Sequence, residues 1–419
     1  MKNGLLQSYK GVRDFYPEDQ FVQDYVIETW GRVVESFGFE KYHASVLEHA
    51  DLYRNKSSEE IVNEQTYIFK DRGGREVVLR PEMTPTVTRM VANKRRELGY
   101  PLRLYSVPNV FRYERPQKGR LREHWQLNVD IFNAKGIEYE LELIEIAHSI
   151  MKEFGAQDDD FVVKINSRAV LDKLFDKLDV PEIPKKSTLR LLDRKDKMKD
   201  ADFKFELRKI LANQTDDFLL ELEKLANSDE LKVYVDRLAQ LGIENVMIDT
   251  SLVRGFDYYT GFIFEIFDTD PQNPRALFGG GRYDKLMEAL GEENMPALGF
   301  GMGDVGIVEF LKARNLLPNY VASAELAIVL TDNTDALNKA AHKIAAQLRQ
   351  RGINVAVNYS EQKLDKKIKN AQKLKIPFVL VLGEDELQSG KYKVKRFKDS
   401  QTASGSLDDI AEFIFESEV

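Results

Sequence analysis

The chain contains no cysteine in 419 residues. That excludes disulfides and thiolate metal sites, including a cysteine-ligated zinc, and suits a reducing compartment. No apolar run reaches the length of a membrane-spanning helix, and the opening MKNGLLQSYKGVRDFYPEDQ lacks the apolar stretch of a secretory signal. A cytoplasmic location with no membrane partner is therefore expected. An excess of positive charge is missing as well: 61 Lys and Arg face 69 Asp and Glu, a formal net charge of −8. The overall field mildly repels nucleic acid, so any such contact must come from local basic patches. What is present, 43% hydrophobic and 31% charged residues over a length too great for one ordinary core, predicts a globular protein of two or three domains.

One stretch organises the rest, RLYSVPNVFRYERPQKGRLREHWQLNVDIFN at 103–133. It reads as a β-hairpin with strands near 102–114 and 125–132. Period-2 alternation assigns the faces. On the first strand Val110, Arg112 and Glu114 share a side; on the second, Leu127, Val129 and Ile131 face a core while Gln126, Asn128 and Asp130 share the other side. Such a polar row is ordinarily a solvated sheet face. The connecting loop, Arg115-Pro116-Gln117-Lys118-Gly119-Arg120-Leu121-Arg122, argues otherwise, because four cations in eight residues suit a polyanion such as a triphosphate or a nucleic-acid end.

Around it, residues 18–37 carry apolar side chains at helical spacing, a long amphipathic helix. Residues 76–80 form a short strand, and Thr84 with Pro85 after it fits a helix N-cap followed by proline at the first helical position. Residues 137–153 make a second amphipathic helix whose four glutamates read as a solvated face. From 167 to 243 Lys, Asp and Leu dominate, predicting a helical insertion without a catalytic constellation. Residues 246–267 return to strand character. FGGGRYD at 278–284 lacks the spacing of either phosphate-loop motif; its glycines read as letting the backbone approach a ligand, with Tyr283 over the pocket. A boundary falls near 317–324. Beyond it strands and helices alternate as in a compact α/β domain with a largely parallel sheet, and Lys366, Lys367 and Lys369 serve either helix solubility or RNA contact.

FRYERPQKGRLREHWQ resembles motif 2 of the class II aminoacyl-tRNA synthetases in its histidyl-tRNA synthetase form, FRxERPQxGRxR. RGFDYYTG at 254–261 is similar to that family's histidine-specific RGxDYYxG element, and GGGRYDKLMEALG at 279–291 to its GGRYD segment. The resemblance covers essentially the whole chain. It implies an α+β fold: an antiparallel-sheet catalytic domain over 1–320, with the insertion at 167–243 lying against a tRNA acceptor arm, and an anticodon-binding α/β domain over 325–419. It also implies a homodimer, although Ser45 stands where the first motif usually has proline.

The implied reaction is ATP-dependent activation of L-histidine, with ATP entering as its Mg²⁺ complex and no resident protein metal, then transfer to the 3′ end of tRNA-His. Charge gathers on the α-phosphate, so positioning and electrostatics should dominate. By resemblance Arg112 and Arg254 oppose each other on that phosphate. Glu114 reads adenine, His124 stacks on it, and Arg120 or Arg122 holds the terminal phosphates. Glu82, Thr84 and Gln126 take the histidine ammonium, Tyr258 and Tyr283 shape the pocket, and Arg115 and Gln117 meet the tRNA acceptor end. An imidazole offers one donor and one acceptor, so a carboxylate and a phenol, here Asp130 and Tyr259, can read both edges. Many bacterial members have glutamate where Asp130 stands; the shorter acid needs a tighter pocket or a bridging water.

One departure stands out. The family's third motif ends in a G-x-E-R sequence whose arginine clamps ATP, whereas here Gly303, Asp304, Val305 and Gly306 occupy it and no arginine follows until Arg314. This favours an alternative, a non-catalytic synthetase-like regulatory subunit of histidine biosynthesis. The DYYT turn, Arg112, Gln126, Arg254 and the C-terminal domain, which such regulators normally lack, disfavour it. A different class II synthetase is disfavoured by the element at 254–261.

Overall fold

The structure, a computed structural model, describes residues 6–54, 65–115, 119–195, 198–254 and 258–417. Gln117 lies outside them. The chain divides into two units, Met1–Pro318 and Asn319–Val419.

The first unit begins with helix α1 (Pro17–Ser36), started by a proline whose missing N–H costs nothing at a first helical turn. Strand β1 (Glu40–Lys41) follows, then a small antiparallel sheet of β2 (Leu47–His49), β3 (Tyr67–Lys70) and β4 (Glu76–Leu79). Helix α2 (Thr84–Asn93) leads to β5 (Leu102–Ser106), β6 (Asn109–Phe111) and β7 (Glu123–Phe132). Helix α3 (Ile137–Glu153) precedes β8 (Phe161–Ser167), and five α-helices between Arg168 and Gln240 make the insertion. Strands β9 (Val246–Ile248), β10 (Phe262–Asp268), β11 (Ala276–Arg282) and β12 (Ala297–Gly303) end at helix α4 (Asp304–Ala313).

Among the described residues the main sheet runs β1-β5-β7-β12-β11-β10-β8-β9, with β6 also paired to β7. It is antiparallel apart from its two outer pairings, β1 with β5 and β8 with β9. The alternation along β7 separates its faces as its sequence predicts. Leu127, Val129 and Ile131 are fully buried in one core with Val26 and Trp30 of α1 and Ile144 and Ile150 of α3. Burying each of those β7 side chains contributes about 1.5–3 kcal/mol. Helices thus cover one face and leave the other for the polar row.

Several expectations need correction. The first hairpin arm is two strands, not one, because Val107 and Pro108 interrupt it, and it ends at Phe111, so Arg112 and Glu114 lie beyond the ladder. Thr84 is the first helical residue and Met83 the cap, with no side-chain capping bond. Glu140 is not solvated: it is buried, accepts from Arg282 Nε at 2.5 Å and takes the Tyr234 hydroxyl. The glycine-rich 279–281 segment lies within strand β11.

The second unit carries a five-stranded sheet in the order β14-β13-β15-β16-β17: β13 (Leu326–Leu330), β14 (Val355–Asn358), β15 (Phe378–Leu382), β16 (Tyr392–Arg396) and β17 (Thr402–Gly405). Only the pairings of β13 with β14 and with β15 are parallel, so the sheet is mixed rather than largely parallel. The polar strand β17 escapes sequence reading because TASG has no apolar alternation. Lys367 is no surface lysine: it is 1% exposed and donates to the Leu330 carbonyl at 2.9 Å, closing the end of β13.

Candidate active site

The face of the main sheet opposite α1 and α3 holds a cavity of about 130 Å³. Glu82 and Thr84 enter it from the junction of β4 and α2, and Arg112 from just past β6. Gln126 and Asn128 come from β7, while Arg254, Tyr258 and Tyr259 come from the chain before β10 and Tyr283 follows β11. Gly299, Phe300 and Gly301 of β12 form the floor. The register explains the hollow: Asp130 pairs with Gly299 and Asn128 with Gly301, so polar side chains on β7 stand beside bare backbone. A Cβ on Gly299 would strike the Val129 carbonyl and crowd Asp130 and Tyr283, and one on Gly279 would strike the Arg254 guanidinium and the Phe264 carbonyl.

Arg112 and Arg254, 142 positions apart in sequence numbering, therefore line one cavity. Arg112 Nε donates to the Pro81 carbonyl at 3.0 Å, which fixes it beside Glu82. Arg254 has φ +54°, a left-handed conformation unusual for a residue with a side chain. Its Nη1 donates to the Phe264 carbonyl at 3.3 Å and pairs with Glu265 Oε1 at 3.2 Å; its Nε is buried without a partner. Burial works against its charge, but Tyr259 and Glu265 beside it hold its pKa above the ordinary arginine value. Its guanidinium carbon lies 5.3 Å from the Tyr259 ring centre.

The Tyr258 hydroxyl donates to Glu82 Oε2 at 3.0 Å, and the Tyr258 ring lies 5.0 Å from Tyr259 and 5.9 Å from Tyr283. Tyr283 donates its hydroxyl to Asp130 Oδ1. Asp130 thus takes the Tyr283 phenol, while Tyr259 sits against Arg254. Burial pushes the Asp130 carboxyl up to about 7, with the Tyr283 hydrogen bond opposing and the Glu82 charge adding to the rise.

The hairpin's outer half forms a second group. Arg120 Nη1 lies 3.1 Å from Glu114 Oε2, and Arg122 Nε donates to the Glu114 carbonyl at 3.2 Å. Arg122 also stacks on Tyr113 at 4.1 Å and donates to the Tyr9 hydroxyl at 2.8 Å, so both cations are engaged within the loop. Arg115 is exposed. His124 shares the face of Gln126 and is held neutral, its pKa pushed down to about 3 by burial with Arg112 and Arg13 nearby. The N-terminal segment runs along this hairpin: the Gly11 carbonyl accepts the Arg122 N–H at 2.7 Å. Arg13 Nη2 reaches Asp304 Oδ2 at 2.6 Å, while Asp304 Oδ1 accepts the Trp125 N–H at 3.1 Å. The third-motif position is thus a buried acid with its own counterion.

Sequence reasoning left out Asn128, which shared the alternation of Gln126 and Asp130 and could have been found by it. Glu265 and Arg13 carried no local signal; only the fold brings them to Arg254 and Asp304.

A family model described as Histidyl-tRNA synthetase matches residues 11–304, and one described as Anticodon binding domain matches residues 326–417. A histidine–tRNA ligase of Leptospira biflexa is 42% identical over 406 residues, covering 93% of this chain and 92% of the relative. One from Thermoplasma volcanium is 33% identical, covering 98% and 99%. The crystal structure of histidyl-tRNA synthetase from Nostoc sp. PCC 7120 superposes with a TM-score of 0.80 at 25% identity, covering 98% of this chain and 99% of that one. The fold, the cavity that joins Arg112 to Tyr258 and Tyr259, and matches of this length agree: the chain belongs to the histidyl-tRNA synthetase family.

Proposed function

We infer that the protein activates L-histidine with ATP, supplied as its Mg²⁺ complex, releases pyrophosphate, and transfers the histidyl group to the 3′ end of tRNA-His. One observation carries this reading: two arginines remote in sequence line one cavity together with Glu82, Gln126 and the DYYT tyrosines. The histidine carboxylate attacks the α-phosphorus, the bond to the pyrophosphate oxygen breaks, and Arg112 and Arg254 stabilise the charge gathered on the equatorial oxygens. Preorganised donors of this kind contribute about 2.7–4 kcal/mol each to a transition state.

Glu82, Thr84 and Gln126 bind the ammonium group, and Asp130 with Tyr283 and Tyr259 reads the imidazole edges. A site that hydrogen-bonds both nitrogens rejects isosteres by roughly 10⁴-fold, because their binding strands buried polar groups. Neutral His124 stacks on adenine and Glu114 recognises it. Arg120 and Arg122 turn from Glu114 and Tyr9 to the terminal phosphates, and Arg115 and Gln117 meet the tRNA end. The small sheet leaves Leu47, Ile68 and Phe69 exposed at 48%, 38% and 46%, which supports a homodimer that covers them. The family's role in protein synthesis supports the cytoplasm as its site of work.

The regulatory-subunit reading draws on Asp304 and Gly306 standing where an ATP-clamping arginine is expected. Losing one charge-assisted contact costs about 1.5–3 kcal/mol of ATP binding, which weakens activity without abolishing it. ATP–pyrophosphate exchange over a panel of amino acids decides between the readings. Histidine-dependent exchange is expected; exchange with another amino acid, or none from folded protein, refutes it.

A further inference from the structure

Beneath the cavity lies a cluster of buried polar atoms that the reading above does not use. Register across the sheet aligns Leu104 with Asp130 and Gly299, and Ser106 with Asn128 and Gly301. Ser106 therefore shares the face of Asp130, one position diagonally away. Tyr42, directly after β1, donates its backbone N–H to the Tyr105 carbonyl at 2.9 Å, which brings it alongside Ser106. Its ring packs with Met83 and Val110 and with the cluster that contains Tyr259 and Tyr283. Tyr42 Oη, Ser106 Oγ and Asp130 Oδ2 are all buried; the Ser106 hydroxyl stands against the Tyr42 phenol with the Asp130 charge nearby, and Asp130 Oδ2 takes no hydrogen bond, whereas Asp130 Oδ1 already takes the Tyr283 hydroxyl.

A buried polar atom without a partner costs about 1–3 kcal/mol, so Asp130 Oδ2, on the same sheet face as two buried hydroxyls from neighbouring strands, calls for an explanation. We propose that Tyr42 and Ser106 are positioning residues for histidine recognition, whose hydroxyls take up Asp130 Oδ2 once histidine fills the cavity and aim the carboxylate at the imidazole. This rests on the reading that the cavity takes histidine. A carboxylate gripped from both sides, by Tyr283 on one oxygen and by Tyr42 and Ser106 on the other, has a single orientation. Burial holds the Tyr42 phenol well above its ordinary value, so it remains a donor at any working pH. Donors to the ionised carboxylate favour the charged form that an imidazole N–H seeks.

Tyr42→Phe keeps the ring and removes the hydroxyl, and Ser106→Ala removes the other. In ATP–pyrophosphate exchange each variant should raise the KM for histidine about tenfold or more, the effect of losing a hydrogen bond to a charged group. The KM for ATP should stay within about twofold and kcat within about threefold. A thermal-melt series separates positioning from packing. The ligand-free Tyr42→Phe protein should melt at or above the wild-type midpoint, since a buried hydroxyl has gone, yet gain less than wild type when histidine is added. Histidine KM and histidine-induced stabilisation unchanged in both variants would overturn the inference. So would equal increases in both KM values together with a lower ligand-free midpoint, the signature of damaged packing. Wild-type protein that neither exchanges nor is stabilised with histidine would overturn the parent reading and this one together.

Discussion

Glu265 Oε1 lies 3.2 Å from Arg254 Nη1 and thereby orients a guanidinium that has left-handed backbone geometry behind it and the bare Gly279 beneath it. Glu265 enters from β10 and pairs with Gly279 in the ladder, so the strand that lacks a side chain is the one that gives Arg254 its space. Arg254→Ala should lower kcat in ATP–pyrophosphate exchange by about 10²–10³-fold, the usual cost of one transition-state donor. Glu265→Gln, which keeps the shape and weakens the hold, should lower kcat by roughly tenfold with the histidine KM little changed. Steady-state kinetics on both variants, with folding checked by circular dichroism, tests this; wild-type kcat in Arg254→Ala refutes it.

Gly279→Ala tests the same geometry from below. The added methyl meets the Arg254 guanidinium, the Phe264 carbonyl and the Glu265 backbone. Overpacking of this kind costs about 1–3 kcal/mol, and backbone collisions lie at its upper end. A fall in the urea midpoint with lost exchange activity is expected. Gly291→Ala is no equal comparison because of its positive φ, but Gly99→Ala, with nothing near its Cβ, should be silent in both assays.

The buried carboxyl of Asp130 makes stability depend on pH. Burial raises its pKa from 3.8 to about 7, with Tyr283 opposing and Glu82 adding to the rise, and the Tyr42 phenol close by. The unfolded chain ionises this group near its ordinary value, so between roughly pH 4 and 7 the folded state binds more protons and stability falls as pH rises. Asp130→Asn removes the effect. The ligand-free variant should therefore gain on wild type from pH 4 to 7 by at most about 4 kcal/mol, at 1.36 kcal/mol per unit. Denaturant titrations across that range measure it, and parallel curves would contradict it.

Glu140 and Arg282 supply a control away from the chemistry. Both are nearly buried, and Arg282 also donates to the Ala134 carbonyl at 2.8 Å. Removing one partner leaves an uncompensated charge, so Glu140→Ala should cost about 3–5 kcal/mol. Glu138→Ala, at an exposed, solvent-screened pair with Arg237, should leave the urea midpoint almost unmoved. Comparable losses in urea unfolding would show that the buried pair is no more costly to break than the exposed one.

Much of this was legible in the sequence because the informative patterns are local. Alternation along β7 separates Leu127 and Val129 from Gln126 and Asp130 without reference to any other strand. The helix over Ile137–Glu153 follows from apolar spacing alone. Tertiary pairing is where the reading stops. Helical periodicity cannot distinguish Glu140 from Glu138, since Arg282, 142 residues on, decides which is buried. Three successive glycines read as backbone that approaches a ligand, and the sequence does not say that they are strand residues hemmed in by Arg254, Phe300 and Ile263. The hydrogen bond from Tyr283 to Asp130 likewise carries no local signal; only the fold brings the two together.

The pairing of Arg13 with Asp304 spans 291 positions of a single chain. At a synthesis rate of roughly 5–20 residues per second, the arginine waits on the order of 15–60 s for its acid to emerge from the ribosome. Until then the outer half of the hairpin is unlatched, so a nascent chain can hold every cavity-lining residue ahead of Gly303 and still lack the clasp on its amino-terminal segment. Premature termination anywhere before that acid leaves a fragment with an unclasped amino-terminal strap.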